Sequence, residues 1–93
     1  MSAKPRKEPK KRVKFALTGE KGRQVYVAGT FNNWDPTKTR MTWKAGVYTA
    51  VVWLPRGRYE YKFVVDGVWQ MDPQCQEWAP NGLGSLNSVI VVQ

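Results

Sequence analysis

From Val13 onward, apolar and polar side chains alternate with the period of two that belongs to strands. Val13, Phe15 and Leu17 take every second place up to Thr18-Gly19. A second β-rich stretch covers 24–30, and the turn formers Asn32-Asn33 and Asp35-Pro36 close it. The run 46–54 puts Tyr48, Ala50, Val52 and Leu54 on one face and Thr49, Val51 and Trp53 on the other. Pro55-Arg56-Gly57 stops that run. Over 58–65, Tyr59, Tyr61, Phe63 and Val65 face one way, and Glu60, Lys62 and Val64 face the other. Asp66-Gly67 then predicts a two-residue type I′ turn into Val68-Trp69-Gln70-Met71. A turn-rich stretch, 72–84, precedes a last strand at 88–92. No segment has a helical period, so the pattern predicts an all-β sandwich.

Charge divides the chain unevenly. Residues 1–14 hold seven Lys and Arg against Glu8, which is most of the net charge of +8 on 93 residues. Pro5, Pro9 and the lack of large apolar side chains before Val13 predict a disordered basic tail over 1–12 and one folded domain over 13–93. Such a tail is expected to be a solvated arm or a weak electrostatic anchor for an anionic partner. With no histidine and one cysteine, Cys75, the chain lacks the means for a disulfide framework, most zinc sites and every Ser-His or Cys-His nucleophile. Nothing approaches a membrane-spanning apolar run, and Met1 to Lys7 carries no apolar leader, so a cytoplasmic chain without membrane contact is expected.

Five tryptophans exceed what the core of so small a sandwich requires. Trp43 and Trp53 are expected as partial covers over a sheet edge. Trp34 lies in a polar turn and Trp69 just beyond the Asp66-Gly67 turn, so both are expected to be exposed. The two-residue hairpin sets Val65 opposite Val68, Val64 opposite Trp69 and Lys62 opposite Met71. A long donor and an indole thereby share one face of the sheet. Sugars suit such a pair, because pyranose C–H faces stack on flat rings while their hydroxyls need donors and acceptors at the edge.

Four blocks then resemble one family. They are 25–34 (Val-Tyr-Val-Ala-Gly-Thr-Phe-Asn-Asn-Trp), Leu54-Pro55-Arg56-Gly57, the run 59–69 with Asp72-Pro73 after it, and 83–90. In this order they are similar to the glycogen-binding domain of AMP-activated protein kinase β subunits, a family 48 carbohydrate-binding module. The same early-set sandwich precedes the catalytic barrel of isoamylases and branching enzymes. The resemblance covers about 13–92 and implies an immunoglobulin-like (early-set) β-sandwich that binds α-1,4-linked glucans such as glycogen, starch or maltooligosaccharides without catalysis or cofactor. It implies stacking on Trp34 and Trp69, hydrogen bonds from Lys62 and Asn87, insertion of Leu83 among the glucose units, and a hydroxyl at Ser85. A larger host protein, a kinase or a glucan-metabolising enzyme, is the further partner it implies.

The chain departs from the family in the loop 74–82, which is about one residue longer and carries Cys75 and Trp78 as a further candidate stacking surface. Two other classes stay in view. An early-set scaffold that contacts proteins would have no use for exposed indoles. A single-stranded nucleic-acid binder would need cations interleaved with Trp34 and Trp69, whereas the charge lies in the tail. For an enzyme, no close carboxylate pair is identifiable among Asp35, Glu60, Asp66, Asp72 and Glu77.

Overall fold

Two antiparallel sheets share one apolar layer in a computed structural model that describes residues 9–93. The strands are β1 (Lys10–Thr18), β2 (Val25–Gly29), β3 (Thr42–Lys44), β4 (Val47–Pro55), β5 (Gly57–Val65), β6 (Val68–Gln70), β7 (Trp78–Pro80) and β8 (Leu86–Val92), with a 3₁₀ turn at Thr30–Asn32. One sheet has the order β1-β4-β3. The other has the order β2-β5-β8-β7, with β6 also paired to β5. No helix among the described residues is long and apolar enough to cross a membrane.

Alternation decides which side chains fill the middle. Val13, Phe15 and Leu17 of β1 and Tyr48 and Leu54 of β4 meet Val25, Val27, Tyr61, Phe63 and Val92 from the second sheet. Phe15 stacks at 5.4 Å on Phe31 and meets Tyr61 edge-on at 4.9 Å, which ties the two layers together. The Asp66-Gly67 turn has φ of 48° and 83°, the two left-handed positions of a type I′ hairpin, with Val65 opposite Val68 and Val64 opposite Trp69 as expected. Asp66 also receives the Gln24 amide at 3.0 Å and pairs with Arg23 at 3.0 Å. Those bonds hold its carboxyl below the ordinary aspartate range, the Gln24 amide most and Arg23 next.

The structure differs from the sequence pattern in four places. First, β1 begins at Lys10, so Lys10, Lys11 and Arg12, expected in the tail, pair with Pro55, Leu54 and Trp53. An edge strand tolerates this charge because its outer side faces water. Of the rest of the expected tail, Pro9 is exposed and belongs to no strand, and 1–8 lies outside the described residues. Second, β3 and β7 are three-residue strands, β7 inside the stretch expected as turns and β3 where the sequence pattern assigned no element. Third, the β5–β6 ladder ends at Phe63–Gln70, so Lys62 and Met71 are not paired. Fourth, Trp43 does pack against the core, but Trp53 does not cover it. Trp53 stands 56% exposed on the outer face of β4, opposite Arg12.

Candidate functional site

The outer face of the larger sheet carries a groove of about 550 Å³. Its first wall comes from the turn after β2. Phe31 anchors this turn in the core, and Asn32, buried beneath it, receives the Gly29 amide at 3.0 Å and donates to the Val27 carbonyl and the Thr39 hydroxyl, both at 3.0 Å. The chain must then reverse within two residues, and Asn33 and Trp34 both adopt left-handed conformations, with φ of 59° and 57°. A bulky residue there costs on the order of 1–3 kcal/mol. The Trp34 amide donates to the Gly29 carbonyl at 2.9 Å and the Asp35 amide to the Asn32 carbonyl at 3.2 Å, which hold the reversal in place. Asp35 closes it by accepting the amide and hydroxyl of Thr37, both at 2.9 Å, and these bonds lower its carboxyl below the ordinary range.

Trp69 reaches the groove from β6, 43% exposed, and its ring lies 6.4 Å from that of Trp34 at a mutual tilt of 47°. Trp34, expected to be exposed, is half-buried. The two indoles form one bent apolar surface.

β5 and β8 supply the polar groups. Tyr59, Tyr61 and Phe63 point inward, so Glu60 and Lys62 project outward into the groove. Lys62 Nζ donates to Ser85 Oγ at 2.7 Å. Asn87, 6% exposed, donates from Nδ2 to Glu60 Oε1 at 2.9 Å, while Arg58 holds Glu60 Oε2 at 2.9 Å. The Asn87 amide, and after it Arg58, keep the Glu60 carboxyl below the usual glutamate range. Behind this layer the Tyr61 hydroxyl donates to Asp72 at 2.6 Å, and burial, with Asp72 adding to it, pushes the Tyr61 phenol far up.

The loop after β7 closes the groove. Leu83 stands 87% exposed between Gly82 and Gly84, whose φ of 79° and 82° suit glycine. Asn81 Oδ1 accepts the Leu83 amide at 2.8 Å and the Ser85 amide at 3.3 Å, which fixes the loop's shape. Of the six residues singled out from sequence, Trp34, Lys62, Trp69, Leu83 and Asn87 line one groove, and Ser85 touches it through Lys62. Trp78 and Cys75 do not join them. They share a separate shallow apolar surface with Met71, Pro73 and Leu86.

Sequence reasoning missed Thr30, Glu60, Pro80 and Asn81 as lining residues. For Glu60 the signal was present, since it shares the outward face of β5 with Lys62. For Asn81 the only signal was an Asn-Gly turn. Among the described residues no cluster of three or more His, Cys, Asp or Glu could hold a metal ion.

Residues 12–93 match the family described as the glycogen recognition site of AMP-activated protein kinase. The chain is similar to the 5'-AMP-activated protein kinase subunit beta-1 of Sus scrofa, at 39% identity over 79 residues, covering 85% of this chain and 62% of that one. The Homo sapiens beta-1 subunit is likewise 39% identical over 85% of this chain, which spans 28% of its length. The beta-2 subunit of Mus musculus is 38% identical over 80% of this chain, which spans 27% of its length. With a sandwich of the expected kind and a match over nearly the whole described length, the chain belongs to the family of glycogen recognition domains of AMP-activated protein kinase.

Proposed function

We propose that the chain is a non-catalytic α-glucan-binding module whose ligand lies in the groove between Trp34, Trp69 and Leu83. The observation that carries the reading is the tilted indole pair. α-1,4-linked glucose units turn relative to one another, and two rings 6.4 Å apart at 47° suit successive faces of a coiling chain better than those of a flat one. Lys62 and Asn87 stand beside the pair as hydrogen-bonding groups for hydroxyls, and Leu83 offers an apolar contact at the rim. A carboxylate pair for glycoside hydrolysis has no counterpart in the groove lining, where Glu60 is the one acid and is already engaged by Asn87 and Arg58. The module is read as working in the cytoplasm within a larger assembly, a kinase or a glucan-metabolising enzyme.

Calorimetric titration with maltoheptaose beside cellohexaose tests the reading. Binding of the α-linked chain alone is the expected result. Equal binding of the flat β-linked chain would remove the argument from tilt. Binding of neither would leave the protein-scaffold reading.

A further inference from the structure

Asn87 carries a side-chain amide with two hydrogens on nitrogen and two lone pairs on oxygen, and which end faces the groove decides what the groove recognises. Its neighbours fix that choice. Glu60 presents Oε1 at 2.9 Å, and an ionised carboxylate only accepts, so Nδ2 must face it. Glu60 stays ionised because Arg58, a donor only, holds Oε2 at 2.9 Å. Asn87 is 6% exposed and its backbone is paired opposite Ala79 in the β7–β8 ladder, so the side chain stays at the groove and only the two ends of its amide can exchange places. Among the described residues no protein group hydrogen-bonds to Oδ1, and no buried side-chain polar atom lacks a partner, so Oδ1 opens to the groove.

We propose that Glu60 sets the hydrogen-bonding polarity of the groove: it takes the amide of Asn87 and turns the Asn87 carbonyl toward the ligand. Asn87 is then an acceptor and Lys62 a donor. A sugar hydroxyl that gives its hydrogen to Asn87 and takes one from Lys62 meets both at once. An ether oxygen in that place accepts from Lys62 but leaves Asn87 Oδ1 without a hydrogen. The inference rests on the glucan reading and adds to it a positioning residue, Glu60, and a requirement for hydroxyl donors. A site built around a buried polar group rejects the analogue that lacks its partner.

Maltoheptaose titration of four proteins tests this: the parent, Glu60→Gln, Asn87→Asp and the double variant. In Glu60→Gln, Arg58 still demands an acceptor. The new amide therefore turns its oxygen to Arg58 and its NH2 to Asn87, which flips Asn87 and presents a donor to the sugar. Affinity is expected to fall about tenfold, the range for one mismatched hydrogen bond to a partly buried group. Asn87→Asp sets two carboxylates face to face and is expected to lose at least as much. The double variant restores the bond with donor and acceptor exchanged and again leaves an acceptor facing the groove. It is expected to recover to within about threefold of the parent, which a merely structural role for Glu60 would not produce. Thermal melts identify any variant that fails to fold, and the near-isosteric Glu60→Gln keeps the test decisive if Asn87→Asp does. Parent-like affinity in Glu60→Gln, or a double variant no better than Asn87→Asp, overturns the inference alone. A parent that binds no maltoheptaose overturns the glucan reading first and this inference with it.

Discussion

The two outer faces of the sandwich both display tryptophan and cation, yet only one is organised. On the larger sheet, Lys62 is tied to Ser85, Asn87 to Glu60 and Glu60 to Arg58, and the two indoles lie within 6.4 Å of each other. On the smaller sheet, Trp53 stands opposite Arg12 and the exposed Val51 opposite Lys14. Strands β1, β3 and β4 carry Lys10, Lys11, Arg12, Lys14 and Lys44 and not one carboxylate. Among the described residues, none of these five cations enters an ion pair or a side-chain hydrogen bond. Exposure of an aromatic ring is therefore a poor mark of a binding site on its own. Rings that share a concave surface with oriented polar groups make a stronger one.

The largest expected effect concerns the foundation of the organised face. A methyl group at Gly29 would lie 2.5 Å from the Glu60 carbonyl oxygen and 2.9 Å from Tyr61 Cβ, both fixed within β5. Gly29→Ala should cost about 3 kcal/mol by overpacking, read from chemical denaturation. Ala16→Ser, on the exposed strand of the other face, should stay within about 0.5 kcal/mol. Comparable losses would mean that the groove turn is no more tightly built than its counterpart.

Next come the rings. Trp34→Ala and Trp69→Ala should each lose about 1–3 kcal/mol of maltoheptaose affinity, taking base stacking on aromatic side chains as the guide. Trp53→Ala should leave the calorimetric affinity unchanged. If Trp53→Ala weakens binding as much as Trp69→Ala does, the contrast between the faces fails. The polar groups rank third. Lys62→Met keeps the apolar stem and removes the donors, for an expected loss of about 1 kcal/mol, whereas Lys14→Met should lose nothing measurable.

The smallest effects are those of salt and pH. A neutral glucan releases no counterions, so affinity should stay nearly constant between about 50 and 500 mM salt, and deletion of 1–8, which spares β1, should not alter it. Affinity should also hold from about pH 8.5 to 5.5, since the chain has no histidine. Glu60 adds a sign. Its carboxyl is lowered in the folded chain, so the stability it confers is present above the ordinary value of 4.5 and lost only as pH falls through the lowered one. Glucan titrations and melts into acid should both fall there, and Glu60→Gln should flatten that part of the profile.

Most of the architecture could be read from the sequence because β4 and β5 are long enough for alternation to declare their faces, and because Asp66-Gly67 admits few turn types. Three-residue strands such as β3 and β7 cannot show a period, which is why both escaped notice. Alternation also placed Trp53 off the core side of β4 without revealing that, among the described residues, no other layer covers that side. Trp34, Lys62, Trp69, Leu83 and Asn87 were legible one at a time, from a turn, outward strand positions and resemblance, whereas Thr30, Glu60, Pro80 and Asn81 were missed. The wiring of the groove was not legible, because the bond between Glu60 and Asn87 joins residues 27 apart and depends on the β5–β8 register that sets Glu60 opposite Val89.

The left-handed pair at Asn33 and Trp34 bears on the rate and entropy of binding as well as on shape. Because the reversal is held by Asn32 and by the Gly29 carbonyl, the unfavourable backbone conformation is adopted once, during folding, and not again at each encounter with a ligand. The wall that Trp34 supplies is thus built before any ligand arrives, so a sugar bound there as proposed would lose little ordering entropy on association. Relaxing the turn with glycine at position 33 would ease the chain's own strain. The bonds to Asn32 and the Gly29 carbonyl would still hold the ring, and the extra freedom of glycine in the unfolded chain would offset the relief, so stability and binding should both change little.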